Sequence, residues 1–113
     1  MGIKWATFTQ PALVLNAQTG TTYSLVTADV NKLVTLSNAS AITLTVPNGV
    51  FTTGQEINVQ QIGAGQVTIQ GDGTSVLTST GATSTAPKLR AQYSAATIIC
   101  TSSNNFTVIG DLS

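Results

Sequence analysis

Histidine is absent from this chain, and charge is scarce. Without an imidazole, Ser-His-Asp and Cys-His triads in their usual form cannot be built, and neither can imidazole metal sites. Charged residues make up 7% of the sequence, against roughly 25% in ordinary soluble proteins. Solubility must therefore come from Ser, Thr, Asn, Gln and Gly. The formal net charge is zero, and Lys4, Lys32, Lys88 and Arg90 are scattered apart from the last two. That removes the basic footprint of a nucleic-acid binder.

Cysteine is nearly missing too. The single Cys100 cannot form an intrachain disulfide, and its place in the apolar run Ala95–Cys100 marks it as a small buried hydrophobe. The four acids, Asp29, Glu56, Asp72 and Asp111, lie far apart in sequence. No catalytic carboxylate pair is expected from them, and Asp72 lacks the dense oxygen ligands that calcium requires. No apolar run approaches the roughly 20 residues of a membrane helix. The opening Met1–Trp5 is not followed by an apolar stretch and cleavage site, so no secretory leader is expected. Asn38-Ala39-Ser40 and Asn105-Phe106-Thr107 fit the glycosylation pattern, but read as turn and strand residues. These absences predict no enzyme activity, no cofactor, no metal, and neither membrane nor nucleic-acid partners.

What is present is alternation. In Lys32–Pro47, Ile42, Leu44 and Val46 alternate with Thr43 and Thr45, which predicts a strand with one aliphatic and one hydroxylic side. Turn chemistry brackets it, Ser37–Ser40 before and Pro47-Asn48-Gly49 after. Further strands are predicted over Thr22–Thr27, Leu33–Leu36, Gln55–Ile62, Gln66–Gln70, Lys88–Tyr93, Ala95–Thr101 and Phe106–Ile109. Gln55–Ile62 and Gln66–Gln70 read as a hairpin across Gly63-Ala64-Gly65. Lys88–Tyr93 should place Leu89, Ala91 and Tyr93 on one side. Gly71–Pro87 reads as a long loop with one short strand at Val76-Leu77. An echo of alternating threonine links Ala41–Val46 with Gln66–Gln70, too short for a solenoid repeat.

No stretch carries a helical period with caps at both ends. The pattern predicts an all-β, single-domain antiparallel β-sandwich or barrel. Residues 1–11 are expected to form a short extended N-terminal arm, and 12–113 the β-domain. The arm carries Ile3, Trp5 and Phe8. Trp5 and Phe8 either fold back on the domain's own core or anchor the arm on a partner, where large rings supply most of the contact energy.

Five runs carry a resemblance: Asn16–Tyr23, Lys32–Pro47, Ile62–Ile69, Leu89–Ala96 and Gly110-Asp111-Leu112. Together they resemble a β-domain of tailed-bacteriophage virion proteins, found in tail-fibre and spike termini and in small virion proteins. The resemblance extends from about Leu15 to the C-terminus and carries no catalytic residues. It implies a non-enzymatic structural protein. With only a short aromatic arm before the domain, the expected role is capsid decoration (cement) on the head exterior. A homotrimer would bind the major capsid protein through Ile3, Trp5 and Phe8 and bridge neighbouring capsomers. The alternative is a small tail-fibre or receptor-binding tip that reads a host-surface glycan, with Gly71–Pro87 as its recognition loop.

Overall fold

The computed structural model describes residues 12–113. Nine strands account for its regular structure: β1 Leu15–Gln18, β2 Thr22–Ser24, β3 Leu33–Leu36, β4 Ile42–Val46, β5 Glu56–Gln61, β6 Val67–Gly71, β7 Val76–Ser79, β8 Ala95–Ser102 and β9 Asn105–Gly110. Among the described residues the helical content is one 3-10 turn, Thr27–Asp29. The alternation works as expected. Ile42, Leu44 and Val46 are buried while Thr43 and Thr45 are half-exposed, and β5 buries Ile57, Val59 and Gln61. Ala96, Ile98 and Cys100 of β8 face the same core, with Phe106 and Val108 of β9.

The chain is all-β, but its sheets are mixed in direction, not antiparallel. One sheet runs β1-β3-β5-β8-β9-β7 and the other β2-β4-β6. Five of the seven strand pairs are parallel; only β5·β8 and β8·β9 are antiparallel. The chain therefore winds as a coil. Each turn lays one strand in each sheet, β1–β2, then β3–β4, then β5–β6, in a solenoid-like arrangement. The β8–β9 hairpin predicted across Ser102–Asn105 forms within the larger sheet, and β7 pairs with β9 at its far edge.

Register explains the threonine echo. Leu33 lies beside Asn58 and Ile42 beside Val67, each pair twenty-five positions apart. Ala41–Val46 and Gln66–Gln70 are thus consecutive turns of one coil. The first turn is shorter, with Leu15 beside Leu33 and Thr22 beside Thr43, so no constant period runs through the sequence.

The hairpin expected over Gln55–Gln70 does not form. β5 pairs with β3 and β8, whereas β6 pairs with β4, and Gly63-Ala64-Gly65 is an arch that crosses between sheets. Neither glycine has a positive φ. They are small because the arch lies on Asn38-Ala39-Ser40 of the preceding turn, where a Cβ on Gly63 would stand 2.6 Å from the Asn38 backbone. Buried Gln61 ties the arch down: its amide donates to the Gly63 carbonyl at 3.1 Å and its oxygen accepts the Val67 N–H at 3.1 Å.

Lys88–Tyr93 is not a strand either. Leu89 is buried and binds across β6 (its N–H to the Val67 carbonyl, 2.9 Å), but the chain then turns at Ala91–Ser94 and leaves Tyr93 exposed. Period-two alternation is too short here to survive a turn. In Gly71–Pro87 one short strand, β7, forms as expected and buries Leu77.

Candidate functional site at the first turn of the coil

The residues expected to bind a partner, Ile3, Trp5 and Phe8, lie outside the described residues. The described chain begins where they lead, at Ala12–Val14, and runs directly into β1. Leu13, Val14 and Leu15 are consecutive apolar residues, each more than half exposed. Ala12, Leu13 and Val14 form one wall of a groove of about 850 Å³; Val30, Asn31 and Asn58 line it too, with Lys32 and Glu56 its charged groups.

The same turn of the coil presents two strand edges. Val14, Asn16 and Gln18 direct their backbone groups at β3, so Leu15 and Ala17 direct theirs outward. On β2, Thr21 and Tyr23 face β4, and Thr22 and Ser24 face away. No other described strand pairs with either edge. By contrast, β6 at the far side of the smaller sheet is covered by Pro87–Leu89. Neither β1 nor β2 carries the charge or proline that commonly protects an open edge.

Inward positions of this turn are polar where later turns are aliphatic. Asn16 lies over Val34, Gln18 over Leu36 and Tyr23 over Leu44. These side chains converge on Asp29, which is 1% exposed. Tyr23 Oη donates to Asp29 Oδ2 at 2.7 Å, and Asn16 Nδ2 donates to both Tyr23 Oη and Asp29 Oδ1 at 2.9 Å. The Val26 N–H reaches Asp29 Oδ2 at 3.0 Å, and Gln18 Nε2 donates to Asn16 Oδ1 at 2.9 Å. The cluster works as a polar lid on the aliphatic core, the role an end cap fills in stacked-repeat proteins. Both carboxylate oxygens of Asp29 are committed to donors inside the domain.

Burial, reinforced by the Asp29 hydrogen bond and charge, pushes the Tyr23 phenol up to about 12. The raised pKa means that the folded chain holds this proton more tightly than the unfolded one, whose phenol titrates near 10. The stabilisation is complete below about pH 10 and is lost as pH rises towards 12. Denaturant unfolding across that range, with tyrosinate absorbance recorded in parallel, should show this loss. Tyr23→Phe should lower stability at neutral pH and flatten the alkaline slope.

Sequence reasoning missed this cluster. Asp29 reads as part of the connection between two strands, and no Ser or Thr cap before it signals a helical turn. A faint signal exists in the run of polar residues Asn16, Gln18 and Tyr23 at alternating inward positions.

The remaining chemistry-bearing groups stand apart. Cys100 is buried as expected, its thiol pushed up by burial, with Sγ 3.2 Å from the Ser102 carbonyl. Asp111 takes two hydrogen bonds from the Arg90 guanidinium, at 2.8 and 2.9 Å, and one from Ser94 Oγ at 2.7 Å. Chiefly the Arg90 bonds hold its carboxyl below the usual range. Asp72 sits in a glycine turn, where Gly73 has φ 58°. Among the described residues no three His, Cys, Asp or Glu side chains gather as metal ligands, and no helix is long and apolar enough to cross a membrane.

What fold and site define together is an all-β coil whose first turn presents two strand edges, β1 and β2, that carry no charge and pair with no other described strand. No protein-family model matches the chain, and neither does any curated protein or solved structure.

Proposed function

We propose that this chain is a non-enzymatic structural protein of a bacteriophage virion. In this reading it is a homotrimeric decoration protein on the head exterior, bound to the major capsid protein and bridging neighbouring capsomers. The observation that carries the reading is the juxtaposition at the first turn of the coil. Exposed Leu13, Val14 and Leu15 stand beside two uncharged strand edges, where the segment bearing Ile3, Trp5 and Phe8 joins the domain. Such an edge invites pairing with other chains unless a partner covers it. A protein held permanently in an assembly meets that condition. Low charge content supports the same reading, because an interface of Thr, Ala, Val and Ile leaves no charge to bury unpaired.

Each buried aromatic of the arm would stabilise the contact by roughly 1.5–3 kcal/mol, multiplied through avidity in a trimer. Deleting Met1–Gln10 should therefore leave a β-rich circular dichroism spectrum intact, abolish binding to undecorated capsids and lower the temperature at which particles burst. Labelled protein found on the tail alone, with the heat resistance of the head indifferent to its loss, would favour the receptor-binding tip instead.

A further inference from the structure

Tyr93 occupies a position that its side chain is poorly suited to. The Ser94 N–H closes a turn on the Ala91 carbonyl at 3.0 Å, and Tyr93, third of the four residues, has φ 71°. Gln92 is not among the positive-φ residues, so this is a type II turn, whose third position is normally glycine or asparagine. A Cβ in this left-handed region is crowded by the backbone, and a bulky ring there is an outlier.

Among the described residues no side-chain hydrogen bond or burial of the Tyr93 ring offsets that strain. The residue is 63% exposed, so its ring contributes little to the core. The turn is held by other groups: the Tyr93 N–H donates to the Gln61 carbonyl at 2.6 Å, Gln60 Nε2 to the Tyr93 carbonyl at 3.1 Å, and the Ala91 N–H to Ser94 Oγ at 3.0 Å. All of these bonds would survive replacement of the side chain. Strain kept where the domain does not use it points to a use outside the domain.

We propose that Tyr93 is a contact residue through which this domain packs against a second copy of its own chain, an inference that rests on the homo-oligomeric reading above. The surroundings indicate the partner. Gln60, whose side chain reaches the turn, belongs to an outward row Ala17–Thr35–Gln60–Ala95 across the larger sheet. That row has no charge. The row beside it ends in Leu15 and Ile109, both more than half exposed. The charges beside the turn, Arg90 and Asp111, pair with each other, so the surface carries no net charge and a second copy meets it without like-charge repulsion. An exposed tyrosine at such a surface is a typical anchor, giving a large contact area with few rotatable bonds.

The test is sedimentation of the full-length protein with Tyr93→Asn, Tyr93→Gly and Tyr93→Phe. Asn and Gly suit the turn, so both variants should stay folded by circular dichroism while their self-association weakens at least tenfold. Tyr93→Phe keeps the ring and should associate within about threefold of the parent. Unchanged association of the Asn and Gly variants would overturn the proposal, and so would loss of fold in both, which would make the ring a support of the domain itself. A parent protein that stays monomeric at every concentration would overturn it as well. Capsid binding by the same variants, measured separately, tells this failure from failure of the decoration reading: retained binding by a monomer would refute only the self-contact.

Discussion

Gly65→Ala is expected to lower stability by about 3–5 kcal/mol, enough to unfold many domains of this size. An added Cβ would fall inside the Ser40 carbonyl group of the preceding turn and 2.7 Å from the Asn38 carbonyl oxygen. These are backbone atoms, fixed by β4 on one side and by the Gly65 N–H to Asn38 carbonyl bond of 2.8 Å on the other. No rotamer change relieves the overlap. The arch must lift, and lifting it pulls at the Gln61 clamp and at the start of β6. Urea unfolding should show a much lower midpoint. Gly20→Ala makes the matched control: its new Cβ would meet nothing nearer than 3.6 Å and its φ is unexceptional, so its effect should lie within about 0.5 kcal/mol. Equal effects at the two sites would refute the tight stacking of the arch.

Asp29→Ala should cost about 3 kcal/mol. It strips acceptors from the Tyr23 hydroxyl, the Asn16 amide and the Val26 N–H at once, and these donors are too enclosed for water to replace every bond. Tyr23→Phe removes the donor to Asp29 and the acceptor of one Asn16 N–H, leaves the other Asp29 bonds in place, and should cost about 1–2 kcal/mol. Combining the two should cost less than their sum, since both act on the same hydrogen bond. Loss of the lid should also loosen the first turn before the rest. Hydrogen exchange at Asn16, Gln18 and Tyr23 in Asp29→Ala is expected to accelerate more than at Ile98 or Val108. Uniform acceleration across both regions would show that the lid is not a separate unit.

Neither prediction is available from the strand pattern alone, and the contrast shows what alternation encodes. Ile42–Val46 declared its inner and outer faces in the order of its residues, as did β5, β8 and β9. Face is a local property, set by which side chains are apolar, and it survives into any fold that buries one side. Pairing direction is different. An aliphatic–threonine strand fits a parallel neighbour as well as an antiparallel one, and Gly63-Ala64-Gly65 serves equally as a hairpin turn or as an arch. The choice depended on where the preceding turn of the chain already lay. The twenty-five-residue spacing was hidden by the shorter first turn, and Asn58 and Gln60 stand where Leu33 and Thr35 stood before.

The amino-acid sequence by itself determined the all-β class, the absence of long helices among the described residues, the inward face of the main strands, the burial of Cys100 and the β8–β9 hairpin. All of these follow from residue type at alternating or turn positions. Tertiary structure alone decided the winding of strands into a coil, the close seat of Gly65 on Ser40, the gathering of Asn16, Tyr23 and Asp29, and the outward display of Tyr93. Each of those depends on distances between segments far apart in the chain, which only the register of the sheets sets.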